Sequence, residues 1–417
     1  MTVIYSTYGG TAASRGPKTN IMIDGQECQP RVMRDICFIS PIFGRYFGGM
    51  ETHSYAFAKY FQSHPEHPIR AILTKRSADA TPLTSRSAVA AQKLTHPILT
   101  GRFREDARAI IRLCNFPDTI LYLNSPTWLP VCAYIKREYP RARVVVRSGG
   151  NDIMAGWIGD MKRRTKPLLP ARDHLVTMAN TYADYFIVNS AYSFERTAAL
   201  GIAPAKLVKI MGGVDCSAFA PAKRSARRDP VTILTVARLL KFKGVSHSIE
   251  AVRRLNGEVR SSLRYLIVGD GPERDDLGAL ARDLTGIVSF VGAKSIDEMP
   301  QYFAQADIFL HLPICEERCS RGSTYTHTET MGRSLCEAAA AALPTVASAV
   351  GGVPEVIAHG RTGYLVPEGN SQRAAARLGE LVNSNTLRRA VGKSARLRAL
   401  SLFDWSHVFG RHCELFE

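Results

Sequence analysis

The most constraining feature of this sequence is the alternation of short apolar runs with amphipathic stretches of helical spacing. In the first half of the chain the apolar runs are residues 35–40, 69–74, 119–124, 143–148 and 185–190. The second half repeats the scheme with residues 231–237, 264–270, 288–292, 308–313 and 344–350. Apolar strands separated by helices are typical of βαβ units, whose parallel sheets are buried on both faces. The pattern therefore predicts an α/β protein with two doubly wound parallel sheets in series.

A polar segment separates the two halves. Residues 220–230 contain five charged side chains, two prolines and no large apolar residue, which is typical of an exposed linker. We therefore expect one Rossmann-like domain over residues 35–219 and a second over residues 231–398. Residues 1–34 carry no periodic pattern and are predicted to form a mobile tail. Two such domains leave a cleft between the carboxyl ends of their strands, where ligands bind in sheets of this kind.

Charge is distributed unevenly along the chain. The sequence has 54 Lys and Arg and 37 Asp and Glu residues, of which the first 228 positions hold 32 and 16. The remaining positions hold 22 and 21, so the first part carries +16 of the total charge of +17. Such a surplus attracts a polyanion, an anionic membrane or an acidic substrate. Solubility alone is the alternative explanation.

Composition excludes several classes of protein. With 45% apolar and 22% charged residues the chain is not disordered as a whole, and no run of about 18 apolar residues would cross a membrane. The N-terminus lacks the basic start and apolar core of a secretory signal. Nine scattered cysteines fit a reducing compartment better than a disulfide framework. We therefore expect a cytoplasmic protein.

Glycines and cations follow the predicted strands. Gly48 and Gly49 precede a predicted helix, and free N–H groups at a helix N-terminus bind phosphate. A plain turn explains this pair equally well. Arg238 and Lys243 follow a strand and could clamp a diphosphate, with two solvated cations as the alternative. Gly271 also follows a strand, but its motif is too short for a dinucleotide fingerprint and fits a tight turn.

The most specific pattern is a pair of glutamates, Glu329 and Glu337, with Gly332 between them. The amides of residues 332–335 at the start of the following helix are expected to point outward, ready for an anion. Glu337 would lie about one turn into that helix and could accept hydrogen bonds from a pair of sugar hydroxyls. The alternative is that Glu337 only complements the helix dipole.

Taken in order, these motifs resemble the retaining glycosyltransferases of family 4, which have the GT-B architecture of two facing Rossmann-like domains. The matching segments are GGME (48–51), VARLLKFKG (236–244), VGDGPERDDL (268–277), the two glutamates at 329 and 337, and GGVPEVIAHGRTGYLVPEG (351–369). The ending 403–417 resembles the closing helix of the family. The resemblance covers residues 35–417 and implies that residues 399–417 cross back to the first domain.

The resemblance also implies residue roles. Arg238 and Lys243 would bind the diphosphate of a nucleotide-sugar, Glu337 would bind the nucleotide ribose, and Glu329 would contact the donor sugar or support the reacting centre. Arg238, Lys243 and Glu329 are thus the expected catalytic residues. The expected donor-binding set also includes residues that close around the phosphates, namely Gly49, Gly271, Gly332, Arg333, Ser334 and Leu335.

The implied reaction moves a sugar from a nucleotide-diphosphate donor to an acceptor hydroxyl with retention of configuration, in polysaccharide or glycolipid biosynthesis. A UDP-sugar is the expected donor and a GDP-sugar the second choice. Because the sequence has no Asp-x-Asp motif for a divalent ion, no metal or other cofactor is expected, and Arg238 and Lys243 would stabilise the leaving diphosphate instead. A glycan, a lipid-linked sugar or a small molecule would be the acceptor, bound by the basic first domain.

Two segments depart from the family pattern. Gly149 stands where the family often has a histidine, so a histidine-assisted step is not expected. Asn151 and Asp152 are expected to contact the acceptor instead, with the donor as the alternative. The insert 314–328 is longer than usual and is interpreted as a lid or an acceptor loop. It contains Cys315, Cys319 and His327 but no second matching cysteine pair, so a zinc site is not expected.

The stretch 156–170 mixes basic and apolar side chains, which suits the headgroup region of an anionic bilayer, with a solvated helix face as the alternative. We therefore expect a cytoplasmic protein that could lie on the inner face of a membrane.

Other functions stay open at this point. A sugar-nucleotide epimerase or a glucan synthase of the same fold, a catalytically inert GT-B scaffold and a polyanion-binding protein all fit part of the pattern. Nucleic acid is not an expected partner, because the sequence has no RNP motif, zinc finger or helix-turn-helix signature.

Overall fold

The two predicted parallel sheets are present, and they confirm the predicted fold class. The computed structural model describes residues 22–23, 26–27, 34–40, 49–64, 67–75, 95–99, 102–114, 116, 118–154, 172–222, 230–257, 262–320 and 323–417. The stretch 156–170, most of the predicted N-terminal tail and residues 223–229 of the predicted linker lie outside the described residues. A short antiparallel pair, β1 (Met22–Ile23) and β2 (Gln26–Glu27), precedes the first sheet.

The first sheet is parallel and has the order β5-β4-β3-β6-β7-β8-β9. Its strands are β3 (Asp35–Ile39), β4 (Ile69–Lys75), β5 (Thr95–Leu99), β6 (Thr119–Leu123), β7 (Val144–Arg147), β8 (Tyr185–Val188) and β9 (Leu207–Lys209). The helices between them are α1 (Gly49–Gln62), α2 (Phe103–Leu113), α3 (Leu129–Glu138), α4 (Asn151–Met154), α5 (Arg172–Tyr182) and α6 (Ala191–Ala199).

The second sheet is parallel and has the order β12-β11-β10-β13-β16-β17. Its strands are β10 (Val231–Val236), β11 (Leu263–Val268), β12 (Val288–Gly292), β13 (Ile308–His311), β16 (Thr345–Ser348) and β17 (Gly363–Val366). The helices that cover it are α7 (Val245–Asn256), α8 (Arg274–Leu280), α9 (Met299–Gln305), α10 (Arg333–Ala340), α11 (Val353–Val356), α12 (Ser371–Asn383) and α13 (Asn385–Leu402). Between β13 and α10, β14 (Glu316–Ser320) and β15 (Ser323–His327) form an antiparallel hairpin.

Burial on both faces explains why the strands are continuous apolar runs. Phe38 and Tyr122 pack under α1 on one face of the first sheet, while Leu121 and Val146 belong to the core on the opposite face. Each face is covered by helices, so alternation of polar and apolar residues is lost, as expected for a doubly wound sheet.

The last helix, α14 (Trp405–Cys413), returns to the first domain. Phe409 and Phe416 are fully buried in the core that contains α1, and the rings of Trp405 and Phe409 stack with centroids 4.9 Å apart. Asp404 caps the helix by accepting a hydrogen bond from the Ser406 amide at 3.0 Å. The chain terminus therefore ties the two domains together. No described helix is long and apolar enough to cross a bilayer.

Candidate active site

The loops at the carboxyl ends of the two sheets touch each other across the cleft. Asn151, in the loop after β7, donates from Nδ2 to the carbonyl of Thr328 in the second domain at 2.8 Å. Asn189, after β8, donates to Thr330 Oγ1 at 3.1 Å and to the carbonyl of Gly149 at 3.2 Å. These contacts hold the segment 328–330, which contains Glu329 and precedes the start of α10, against the first domain.

Gly150 allows this close approach. Its φ is +105°, and a Cβ placed on it would lie 2.5 Å from the side chain of Thr330. A side chain at this position would have to push the segment 328–330 away from the first domain, because a contact that short is not tolerated. Gly150 thus determines how closely the two loops pack.

Glu329 lies at the centre of a three-residue cluster. Its Oε2 atom is 2.5 Å from Lys243 Nζ and 3.1 Å from His311 Nε2, and its side chain is 11% exposed. Burial by itself would raise the pKa of Glu329, but the Lys243 ammonium and the His311 hydrogen bond outweigh it and hold the pKa well below its usual range. Burial lowers the pKa of His311. The cluster is therefore an ionised carboxylate between an ammonium and a neutral ring that donates from Nε2.

The loop after β10 presents both predicted cations toward the cleft side of the second sheet. Arg238 is exposed, and within the described residues its side chain has no hydrogen bond or ion pair. The next loop supports it, because the Leu239 amide donates to the carbonyl of Asp270 at 2.9 Å and Gly271 packs on the Leu239 backbone. Burial and Arg318 lower the pKa of His327 in the hairpin to about 4, and Lys243 and Arg238 make smaller contributions in the same direction. The charges of both predicted cations therefore act on the hairpin.

The start of α10 carries the remaining predicted donor-binding residues. Gly332 is the N-cap with φ +87°, and Ser334 lies in the first turn, where helix amides have no partner within the helix. The Leu335 amide donates to the Gly332 carbonyl at 3.0 Å, so this amide is paired inside the turn. Arg333 Nε lies 3.2 Å from Glu337 Oε1. Burial raises the pKa of Glu337, and the nearby Arg333 only partly offsets it.

The first domain positions three further predicted residues. Gly49 is the first residue of α1, and no described atom lies within 4 Å of the position that a Cβ would take. The carboxylate of Asp152 accepts hydrogen bonds from the hydroxyl of Ser148 and from the amides of Gly149 and Ile153. It therefore holds the loop after β7 in shape, while Asn151 spans the cleft.

The insert forms the hairpin β14–β15 at the mouth of the cleft. The ring of His327 lies 4.2 Å from that of Phe242, and Tyr325 packs against the core of the first domain. The Cys315 amide donates to Glu368 Oε1 at 2.6 Å. Among the described residues no three His, Cys, Asp or Glu side chains are placed to hold a metal ion.

Sequence reasoning missed several residues of this site. His311 is the one ionisable side chain in an otherwise apolar run, and this could have signalled its role. Asn189 and Thr330 carry no such signal, because their contact joins two domains. Glu355, in the short helix α11, accepts hydrogen bonds from the amides of Ala191 and Tyr192 at 2.7 and 3.3 Å. The second domain thereby caps a helix of the first, and no local sequence pattern predicts this contact.

The fold and the cleft define the chain as a GT-B protein. A solved structure with this fold is HepE of Anabaena in complex with UDP and glucose, which superposes with a TM-score of 0.68 at 18% identity and covers 91% of this chain and 98% of that chain. Residues 218–398, which include the second domain, match the model of the family described as glycosyl transferases group 1.

Curated relatives extend the comparison. WcaL of Salmonella typhimurium, a putative colanic acid biosynthesis glycosyltransferase, is 32% identical over 203 residues, or 48% of each chain. A GDP-mannose-dependent phosphatidylinositol monomannoside mannosyltransferase of Mycobacterium tuberculosis is 27% identical over 288 residues, which cover 67% of this chain and 72% of the relative. The chain spans about half the length of the first curated relatives that it matches.

Proposed function

We propose that this protein is a glycosyltransferase that moves a sugar from a nucleotide-diphosphate donor to an acceptor hydroxyl, with retention of configuration and without a metal ion. The observation that carries the proposal is the cluster of Lys243, Glu329 and His311 in the cleft. It joins the loop that carries Arg238 to the loop that leads into α10. An ammonium, an exposed guanidinium and a helix N-terminus are what a leaving diphosphate requires.

The proposed reaction exchanges one bond at the anomeric carbon. The bond from this carbon to the diphosphate oxygen breaks, the bond to the acceptor oxygen forms, and the acceptor proton leaves with the diphosphate. Because the transition state resembles an oxocarbenium ion, negative charge builds on the leaving group as positive charge builds on the sugar. Arg238 and Lys243 would stabilise the diphosphate, and the ionised Glu329 would stabilise the sugar side while it holds Lys243 in place.

Glu337 is proposed to bind the ribose. Its carboxylate is 6% exposed and contacts Arg333 through one oxygen, 3.2 Å from Nε. A carboxylate accepts hydrogen bonds from two adjacent hydroxyls in a bidentate manner. The amides of Arg333 and Ser334 and the glycines Gly49 and Gly271 would surround the phosphates.

The donor is proposed to be a UDP-sugar, with a GDP-sugar as second choice. The complex of HepE with UDP and glucose supports the first, and the GDP-mannose dependence of the mycobacterial relative supports the second. The colanic acid role of WcaL supports a setting in polysaccharide or glycolipid biosynthesis.

A basic first domain would place the enzyme on an anionic membrane surface of the cytoplasm, next to a lipid-linked acceptor. Sedimentation with anionic and with neutral vesicles tests this part. Binding that needs anionic lipid and falls with salt is expected. Absence of binding at low salt would remove the membrane from the proposal.

The donor site is tested by thermal stability with a panel of nucleoside diphosphates. A ligand at 100 times its Kd adds about 2.7 kcal/mol, so UDP is expected to raise the Tm. Arg238→Ala should abolish this effect. Arg264→Ala, which removes an exposed arginine from β11, should preserve it. If no nucleotide stabilises the protein, the donor site does not exist and the transferase proposal fails.

Product analysis separates transfer from epimerisation. With the stabilising nucleotide's sugar as donor, a new glycoside should form only when an acceptor is added. Conversion of the donor alone to another nucleotide-sugar would identify an epimerase.

A further inference from the structure

A buried arginine at the end of β7 forms no ion pair among the described residues, although the charge of Asp152 acts on it. Arg147 is 7% exposed, and the charged part of its side chain lies inside the protein. Its Nη1 atom donates a hydrogen bond to Asn124 Oδ1 at 3.2 Å, and within the described ranges the side chain forms no ion pair with a carboxylate. Burying a charge is costly unless a partner of opposite charge compensates it. A bound anion would compensate the buried charge of Arg147.

A buried polar network holds Arg147 in place. Asn124 Nδ2 donates to Ser54 Oγ at 2.9 Å and to Ser40 Oγ and the Met50 carbonyl at 3.3 Å each. The amide is thereby fixed so that its oxygen faces Arg147. The network spans the carboxyl ends of the three adjacent strands β3, β6 and β7 and the first two turns of α1. A site built on rigid elements in this way holds its geometry well.

The location of Arg147 is at the cleft. Side chains alternate along a strand, so Arg147 lies on the same face as Val145, one step nearer the carboxyl end. Burial lowers the pKa of Arg147, Tyr122 and Asp152 raise it, and Arg333 of the second domain lowers it. Arg333 follows the segment 328–330, which packs on the loop after β7. Its positive charge therefore acts on Arg147 from the second domain.

We propose that Arg147, supported by Arg333, binds an oxyanion of the acceptor substrate, a carboxylate or a phosphate close to the hydroxyl that receives the sugar. The inference rests on the proposed function and deepens it by naming the charge of the acceptor. Arg147 belongs to the first domain, which carries the surplus of positive charge, whereas the predicted diphosphate cations Arg238 and Lys243 lie in the second. A guanidinium suits both oxyanions, because its fork matches carboxylate and phosphate geometry.

Titration calorimetry with simple probes tests this site. The probes are D-glucuronate, D-glucose 6-phosphate and neutral D-glucose, each added to the full chain with and without the stabilising nucleoside diphosphate. We expect one of the two anions to bind wild-type protein, and Arg147→Gln to weaken this binding at least tenfold. The control Arg143→Gln removes the same charge from the other end of the strand, where the side chain donates to the Leu415 carbonyl at 3.1 Å. It should change the affinity less than twofold.

A conservative variant and a nucleotide-binding control separate loss of the anion site from general damage to the protein. Arg147→Lys keeps the charge but not the fork, so its affinity should lie between those of wild type and Arg147→Gln. Nucleotide-induced stabilisation should survive in Arg147→Gln, which shows that the second domain is intact. If no nucleotide binds wild-type protein, the proposed transferase fails, while the anion titration still reports on Arg147.

Three outcomes would overturn the inference. The first is that neither anion binds wild-type protein. The second is that wild type and Arg147→Gln bind the anion with equal affinity. The third is that Arg147→Gln and Arg143→Gln lose equal amounts of affinity for the anion. A fourth concerns the source of the anion. If Arg147→Gln weakens the binding of UDP-glucuronate but not that of UDP-glucose, the anionic group belongs to the donor sugar rather than the acceptor.

Discussion

Lys243 Nζ lies 2.5 Å from Glu329 Oε2, and this contact joins the loop after β10 to the segment that leads into α10. His311 shares the same carboxylate oxygen at 3.1 Å. The two partners keep Glu329 ionised, although burial alone would favour its neutral form. The side chains proposed to act on the diphosphate and on the sugar are therefore coupled and are expected to respond together to mutation.

Replacing Lys243 tests the leaving-group cation. Lys243→Ala should lower kcat by a factor of about 100 to 1,000, because one donor to a developing oxyanion contributes roughly 3–4 kcal/mol. Lys241→Ala removes an exposed lysine from the same loop and should leave kcat within a factor of about two. Steady-state transfer assays on both variants measure this. Equal losses would mean that only the general charge of the loop matters.

The pH dependence of stability tests the state of Glu329. Because the folded-state pKa is depressed, the ionised carboxylate stabilises the folded protein above its ordinary pKa of about 4.3, and this contribution is lost as the pH falls through the folded-state value. Glu329→Gln should therefore have a lower Tm than wild type at pH 7, and the difference should shrink below about pH 4. A difference that stays constant down to acid pH would contradict the assignment.

At Glu337 the pH dependence of folding stability should have the opposite sign. Burial raises its folded-state pKa, so the ionised form costs stability, and this cost grows as the pH rises from about 4.3 through the folded-state value. Glu337→Gln should thus raise the Tm at pH 7 while weakening nucleotide binding about tenfold or more, since hydrogen bonds to a charged group contribute about 1.5–3 kcal/mol. Thermal scans with and without nucleotide show both effects. Unchanged nucleotide affinity would remove Glu337 from the ribose site.

Two neighbouring glycines provide a matched test of the contact between the domains. Gly150→Ala should lower the stability by about 1–3 kcal/mol, because φ is +105° and its Cβ would lie 2.5 Å from the Thr330 side chain. Gly149→Ala should have little effect, since its Cβ would meet only Asp152 Oδ2, at 3.9 Å. Chemical denaturation of both variants measures their free energies of unfolding and tests this difference. Similar losses at both positions would show that the loops are free to separate.

The cap that Glu355 provides across the cleft can be followed by hydrogen exchange. Glu355→Gln loses the charge that binds the amides of Ala191 and Tyr192 and the Lys209 ammonium, which lies 3.1 Å away. The peptide that covers the start of α6 should exchange faster, because loss of a cap costs about 1 kcal/mol. Glu195→Gln, on the exposed side of the same helix, is the control and should exchange as wild type does.

Much of the fold could be predicted from the apolar runs. Each of the ten runs contains a strand, because a strand covered by helices on both faces needs continuous apolar residues. The strands that were missed in the two sheets, β5, β9 and β17, lie at sheet edges, where shorter and less apolar sequences suffice. The insert 314–328 was recognised as an extra segment, but its hairpin was not predicted. The hairpin packs against Phe242 and the first domain, which are distant from it in sequence.

The sequence by itself determined the two sheets and the residues at their carboxyl ends, including Arg238, Lys243, Glu329 and Glu337, since these follow from periodicity and from loop position. Only the tertiary structure decided which of them meet. His311 at the end of β13 reaches Glu329, Glu355 caps a helix of the other domain, and the charge of Arg333 acts on the buried Arg147. Such relationships depend on how remote segments pack against each other. Contacts of this kind produce no periodic pattern in the sequence, so they cannot be predicted from it.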